Sequence, residues 1–147
     1  MEDMCGVVLS LLEIFRLSQK YMLGNFGEAN RKLTKTQFFI IMAIWKKKNM
    51  SMSQVASAIS ASKEQTTRAM IPLEEEGYVR RYHDEKNRRI VRVEMTEKGY
   101  GVLDRVRNHM ISNLGKRLEL LTEEEQEWFS DAADRMLELM LKIDGAV

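Results

Sequence analysis

The 147-residue chain has one cysteine, one proline and two histidines. A lone cysteine excludes an internal disulfide, so the fold must hold by packing, and a reducing cytoplasmic setting is expected. His83 and His109 stand far apart, and neither lies in a metal-binding or nucleophile motif. None of the eight glycines builds a phosphate-cradling loop. The longest unbroken apolar run, Phe38 to Trp45, is too short to cross a bilayer. The opening MEDM is acidic and lacks the basic start of a signal peptide. Neither sign of charge dominates, since 23 basic and 22 acidic residues leave a net +1. That balance excludes a generic polycation and a disordered acidic chain. Linkers, internal repeats and low-complexity stretches are also missing. These absences together predict one soluble domain that is not an enzyme and carries no cofactor or metal.

The charge that is present is unevenly placed. Residues 78–92 hold six cations (Arg80, Arg81, Lys86, Arg88, Arg89 and Arg92) against Asp84 and Glu85. Residues 119–147 hold nine acids against Arg135 and Lys142. Such a split suits one face turned toward phosphates and another turned away from them, although a solvated hairpin accounts for the charge equally well.

Periodicity predicts a mainly α chain with a small β-wing. Met4, Val8, Leu11, Phe15 and Met22 share one helical side, broadened by Val7, Leu12 and Ile14, and Gly24 to Gly27 ends that helix. Thr34-x-x-Gln37, Ser51-x-x-Gln54, Ser62-x-x-Gln65 and Thr122-x-x-Glu125 are capping boxes, in which side chain and backbone satisfy each other at a helix start. The helix after Thr34 is apolar all round and belongs in the middle of the structure. The helix after Ser51 is short and packs through Val55, Ala56 and Ile59, with a tight break at Ala61. The helix after Ser62 packs inward through Ala69, Met70 and Leu73, tolerates Pro72 as a bend, and closes at Gly77. Residues 79–83 and 89–95 read as two strands around a turn at 84–87. A third short strand near Met50 would complete a sheet. Thr96 caps a helix with Leu103, Val106, Met110 and Leu114 on one stripe. The last helix carries Trp128, Phe129, Ala132, Met136, Leu139, Met140 and Ile143 at helical spacing.

Two short capped helices joined by a tight turn and followed by a basic hairpin form a device suited to duplex DNA. The second helix opens with Ser62, Lys63, Gln65, Thr66, Thr67 and Arg68, residue types that reach base edges or phosphates from a helix N-terminus. Arg88 and Arg89 of the hairpin would lie along the neighbouring minor groove or its phosphates. The competing class is a winged-helix protein-interaction module without DNA binding. The basic hairpin and the polar helix start speak against it.

From residue 33 to 99 the chain resembles the MarR family of winged-helix transcription regulators. The resemblance rests on LTKTQFFIIMAIW, SMSQVASAIS, TRAMIPLEEEGYVRR and DEKNRRIVRVEMTEKG. The last segment is similar to the family's wing, where an Asp and an Arg two residues apart precede alternating apolar residues and Leu-Thr-x-x-Gly. Here those positions read Asn87, Arg89, Met95-Thr96 and Gly99. The flanking helices match in length and pattern, so the likeness spans nearly the whole chain, 1–147. It implies a homodimer paired through segments 1–32 and 100–147, a pseudo-palindromic operator, and repression relieved by a small aromatic or phenolic effector. Phe15, Phe38, Met42 and Trp45 are candidates to line the effector's pocket, with plain core as the alternative. Some relatives sense oxidants through a first-helix cysteine, but that position falls near Ser10. Cys5 lies further out, beside Glu2 and Asp3, which oppose a thiolate. The chain departs from the pattern twice. Asn87 replaces the Asp that steadies the wing Arg, leaving Asp84 as a substitute, and Pro72 stands where relatives often carry a base.

Overall fold

The computed structural model describes residues 4–24 and 33–145. The elements run α1 (Met4–Leu23), α2 (Lys35–Lys46), β1 (Met50–Ser51), α3 (Met52–Ala58), α4 (Lys63–Glu75), β2 (Val79–His83), β3 (Val91–Met95), α5 (Glu97–Leu118) and α6 (Glu123–Asp144). They fall into two compact units. One is Leu23–His109, and the other joins Met1–Met22 to Met110–Val147. The glycine break expected at 24–27 lies, beyond Gly24, outside the described residues.

All four capping boxes form. At α2 the Thr34 N–H donates to Gln37 Oε1 at 2.9 Å, and the Gln37 N–H donates to Thr34 Oγ1 at 3.2 Å. The same reciprocal pairs open α3, α4 and α6. Helix ends are equally local. Gly77 takes φ +76° after α4, with the Tyr78 and Gly77 amides donating back to the Leu73 and Glu74 carbonyls. The expected break at Ala61 is a turn one residue earlier. Ser60 adopts φ +54°, and the Ala61 and Ser60 amides return to Ala56 and Ser57 in the same pattern. Pro72 sits inside α4, which runs unbroken from Lys63 to Glu75.

Ile40 and Ile41 of α2, Val55 of α3, Met70 and Leu73 of α4, Val93 of β3 and Leu103 and Val106 of α5 are fully buried together in the Leu23–His109 unit. Each contributes roughly 1.5–3 kcal/mol relative to exposure in water. As its apolar surface predicts, α2 touches several elements, α3, α4 and β3, although it is not wholly enclosed. Phe39 and Trp45 remain exposed, and the Arg107 guanidinium stands 5.2 Å from the Trp45 ring centre. Gln37 is buried and, besides capping α2, donates through Nε2 to the Ala69 carbonyl of α4 at 3.3 Å.

The sheet is antiparallel in the order β1-β3-β2, with Met50 opposite Val93 and Val79 opposite Met95. The short strand near Met50 is therefore present. The return strand begins at Val91 rather than at 89, because Ile90 is consumed by the turn. Its N–H donates to the Asn87 carbonyl, and its carbonyl accepts from the Asp84 N–H. Thr96 starts α5 by accepting from the Gly99 N–H at 3.1 Å, while its own N–H donates to the Tyr78 carbonyl. Gly99 is required there, since a Cβ would lie 2.1 Å from that carbonyl oxygen.

In the other unit, α6 has no buried residue, and Trp128 and Ile143 are 61% and 62% exposed. On α1, Leu9 and Phe15 are each 61% exposed. These are large apolar faces left open to water. Arg117 lies over the Tyr21 ring at 5.4 Å.

Candidate nucleic-acid interface

α3, the Ser60 turn and α4 are two short helices in sequence, and β2–β3 extends the sheet as a hairpin behind them. At the N-cap and on the first turns of α4, Ser62, Lys63, Gln65, Thr67 and Arg68 are exposed, as are Arg88 and Arg89 in the hairpin turn. Thr66 is not available to a ligand. It is fully buried, and its Oγ1 donates to the Ser62 carbonyl at 2.8 Å. A threonine whose hydroxyl is satisfied by the preceding turn packs as an apolar residue, which corrects its place among the contact residues. Ser62 and Gln65 also carry structural duties. Ser62 Oγ accepts from the Gln65 N–H at 3.1 Å, and Gln65 Oε1 accepts from the Ser62 N–H at 3.0 Å.

The remaining residues gather on two sides of α4. An open groove of about 590 Å³ is lined by Lys63, Thr67, Arg81, Arg89 and Arg92, together with Ser51, Ser53 and Gln54 at the start of α3. A second, of about 490 Å³, is lined by Gln65 and Arg68 with Thr34, Thr36, Phe39 and Ile59. Ser51, Ser53, Gln54 and Arg81 had no sequence signal pointing to a shared surface. They meet because β1 pairs with β3.

Charge on this surface divides into two kinds. Arg80 pairs with Glu94, Arg81 donates through Nε to Glu74 at 2.6 Å, and Arg92 pairs with Asp84. Lys63, Arg68, Lys86, Arg88 and Arg89 are exposed side chains with no carboxylate partner among the described residues. The expected substitution of Asp84 for the missing Asp at 87 takes a different form. Asp84 holds Arg92 instead of Arg89, and Asn87 Oδ1 accepts only the Arg89 backbone N–H, at 3.2 Å. Arg92, followed by the amides of Asn87 and Lys86, keeps the Asp84 carboxyl below the ordinary aspartate value. His83 Nδ1 contacts the Arg88 carbonyl at 2.8 Å, a structural role.

None of the four proposed pocket residues lines either of these two grooves. Phe38 is buried in α2, 5.7 Å from Phe39 between ring centres, which accords with the plain-core alternative. Met42 is half-buried and Trp45 exposed on the same helix, whereas Phe15 belongs to the other unit. Cys5 is exposed on α1, and no grouping of three or more metal-binding side chains occurs among the described residues. No described helix is long and apolar enough to cross a membrane.

Two short helices, a three-stranded sheet and a basic hairpin define a winged helix-turn-helix protein. The MarR family model matches residues 33–91, the winged-helix lobe of this chain. The chain is 27% identical over 107 residues to the HTH-type transcriptional regulator BilQ of Clostridioides difficile, covering 73% of this chain and 69% of BilQ. It is 25% identical over 122 residues to the HTH-type transcriptional repressor MdtR of Bacillus subtilis, covering 83% and 77%. Among solved structures, the transcriptional regulator BldR from Sulfolobus solfataricus superposes with a TM-score of 0.74 at 26% identity, covering 97% of this chain and 95% of BldR. Streptococcus pneumoniae FabT, solved in complex with DNA, shares the fold at a TM-score of 0.67 and 20% identity, covering 96% of this chain and 99% of FabT.

Proposed function

We propose that this protein is a MarR-family, sequence-specific DNA-binding transcription regulator, acting as a homodimeric repressor on a pseudo-palindromic operator. The observation that carries the reading is the set of uncommitted cations. Lys63 and Arg68 at the start of α4, and Lys86, Arg88 and Arg89 in the wing, face solvent without carboxylate partners among the described residues. Arg68 and Gln65 are suited to base edges, and Lys63, Ser62, Thr67, Arg88 and Arg89 to phosphates and the minor groove. The similarity to MdtR, named a repressor, and to FabT, solved with DNA, supports this reading.

The open apolar faces of α1 and α6 support the dimer, because a second copy would remove them from water. Two reading helices would then meet half-sites about one helical turn apart. The effector, a small aromatic or phenolic compound, belongs to this reading through Met42 and Trp45 of α2.

Genomic fragments retained by the protein would be sequenced and tested in a mobility shift against scrambled duplex. The reading requires one recurring inverted motif and at least roughly a thousandfold preference for it. Retention without a motif, or none at all, would leave the interaction-module reading standing. Leu139→Glu should convert a dimer to a monomer in light scattering. Trp128→Phe leaves Trp45 as the sole tryptophan, whose fluorescence should respond when salicylate releases the DNA.

A further inference from the structure

The hairpin is held by a group of contacts centred on Asp84 and Arg92. Ser51, Arg92 and Tyr82 lie in one row across β1, β3 and β2. Arg92 Nη1 donates to the Asn49 carbonyl at 2.9 Å, and the Tyr82 hydroxyl donates to Asn49 Oδ1 at 3.2 Å. Asn49 sits just before β1 with φ +61°, a conformation that Asn adopts more readily than most residues. Arg92 Nε pairs with Asp84 Oδ2. The other oxygen, Oδ1, accepts from the Lys86 N–H at 2.9 Å and the Asn87 N–H at 3.0 Å. Both members of the ion pair are mostly covered, with side chains 17% exposed for Asp84 and 29% for Arg92. One carboxylate thus shapes the wing turn with one oxygen and ties it to the body of the lobe with the other.

We propose that Asp84, Arg92 and Asn49 form a lock that sets the aim of the wing, making Asp84 and Arg92 positioning residues that act through Arg88 and Arg89. The inference rests on the DNA-binding reading above. It assigns to Asp84 a task different from the one the missing charge at Asn87 leaves open. The lock fixes the backbone from which the two free guanidinium groups extend, and it leaves both groups uncommitted. Without it the hairpin remains paired through β2–β3 but can swing relative to α4, and each wing contact then carries an ordering cost.

The test is a coupling cycle on a duplex that the wild-type protein selects from a random-sequence library. Asp84→Ala and Arg92→Met should each weaken binding about tenfold. Both losses should vanish in an Arg88→Ala/Arg89→Ala background, where no wing contact remains to be positioned. Amide exchange at Lys86 and Asn87 in the DNA-free protein should accelerate in Asp84→Ala while the α2 core amides keep their protection. Full-sized losses persisting in the double-Ala background would overturn the lock and leave the DNA reading intact. Tighter binding by Asp84→Ala with a steeper salt dependence would also overturn it, making Asp84 a mask over Arg92. If Arg88→Ala/Arg89→Ala alone changes nothing, the wing's contact with DNA fails instead. The exchange rates then decide separately whether Asp84 holds the turn.

Discussion

Replacing Arg89 by Gln tests the division between free and paired cations. Arg89 is exposed in the wing turn and has no carboxylate partner among the described residues, whereas Arg80 is already neutralised by Glu94. Binding constants for duplex DNA fall with salt at a slope of about −0.9 per neutralised phosphate. A dimer carrying Arg89→Gln loses two such contacts, so its slope should flatten by about 1.8. Raising salt fourfold would then weaken the variant about twelvefold less than the wild type. The matched control is Arg80→Gln/Glu94→Gln, which removes a cation and its partner together. Its slope should stay at the wild-type value, and stability should change by about 0–1 kcal/mol, because the pair is exposed. Fluorescence anisotropy on one operator duplex across a salt series measures all three proteins. An unchanged slope in Arg89→Gln would refute the assignment of Arg89 to a phosphate. Equal flattening in the control would refute the claim that ion pairing decides which cations count.

Ser60→Gly should raise stability by about 0.5 kcal/mol in denaturant titration: relief of a left-handed residue gives roughly 1–2 kcal/mol, and the freer unfolded chain takes back roughly 0.5–1. Gly99→Ala should cost about 3 kcal/mol and lower the melting temperature by roughly 10 °C, because its Cβ would meet the Tyr78 carbonyl at 2.1 Å and Met95 Cγ at 2.6 Å; a loss under about 1 kcal/mol would mean the α4–β2 corner yields easily. Asp84 has a folded-state pKa below its ordinary 3.8, so the stability it contributes is present above that value and is lost as pH falls through the lowered one. The difference in unfolding free energy between wild type and Asp84→Asn should therefore hold constant from neutral pH down to about 3.8 and close below it, and a gap that closes well above that value would contradict the Arg92 pairing.

Features set by neighbours three or four residues apart were legible in the chain. Thr34, Ser51, Ser62 and Thr122 each find their partner within one helical turn, so their capping boxes could be read directly. Gly77 was equally plain, because few other residues take its φ without strain. Thr66 misled because a polar side chain near a helix start reads as exposed, while its hydroxyl spends its bond on the Ser62 carbonyl. Ile90 fitted the alternation of a strand, yet its backbone closes the turn. The grouping of Ser53, Gln54 and Arg81 with Lys63 and Arg89 depends on strand pairing between distant segments, and local pattern carries no trace of that. Phe38 and Trp45 lie on one apolar run, but only the packed fold separates the buried ring from the open one.

The place where the sheet closes also sets an order of events during folding. Asp84 and Arg92 are only 8 residues apart, while Arg92 and Asn49 are separated by 43. Closing the longer loop costs about 1.5 kcal/mol more in chain entropy. The hairpin is therefore favoured to zip first, and its docking on β1 must wait until α3 and α4 have condensed between them. The surface facing the groove is then among the last parts of the lobe to become native. A newly made chain would carry its helices, and even its paired hairpin, before the wing comes to rest against Asn49.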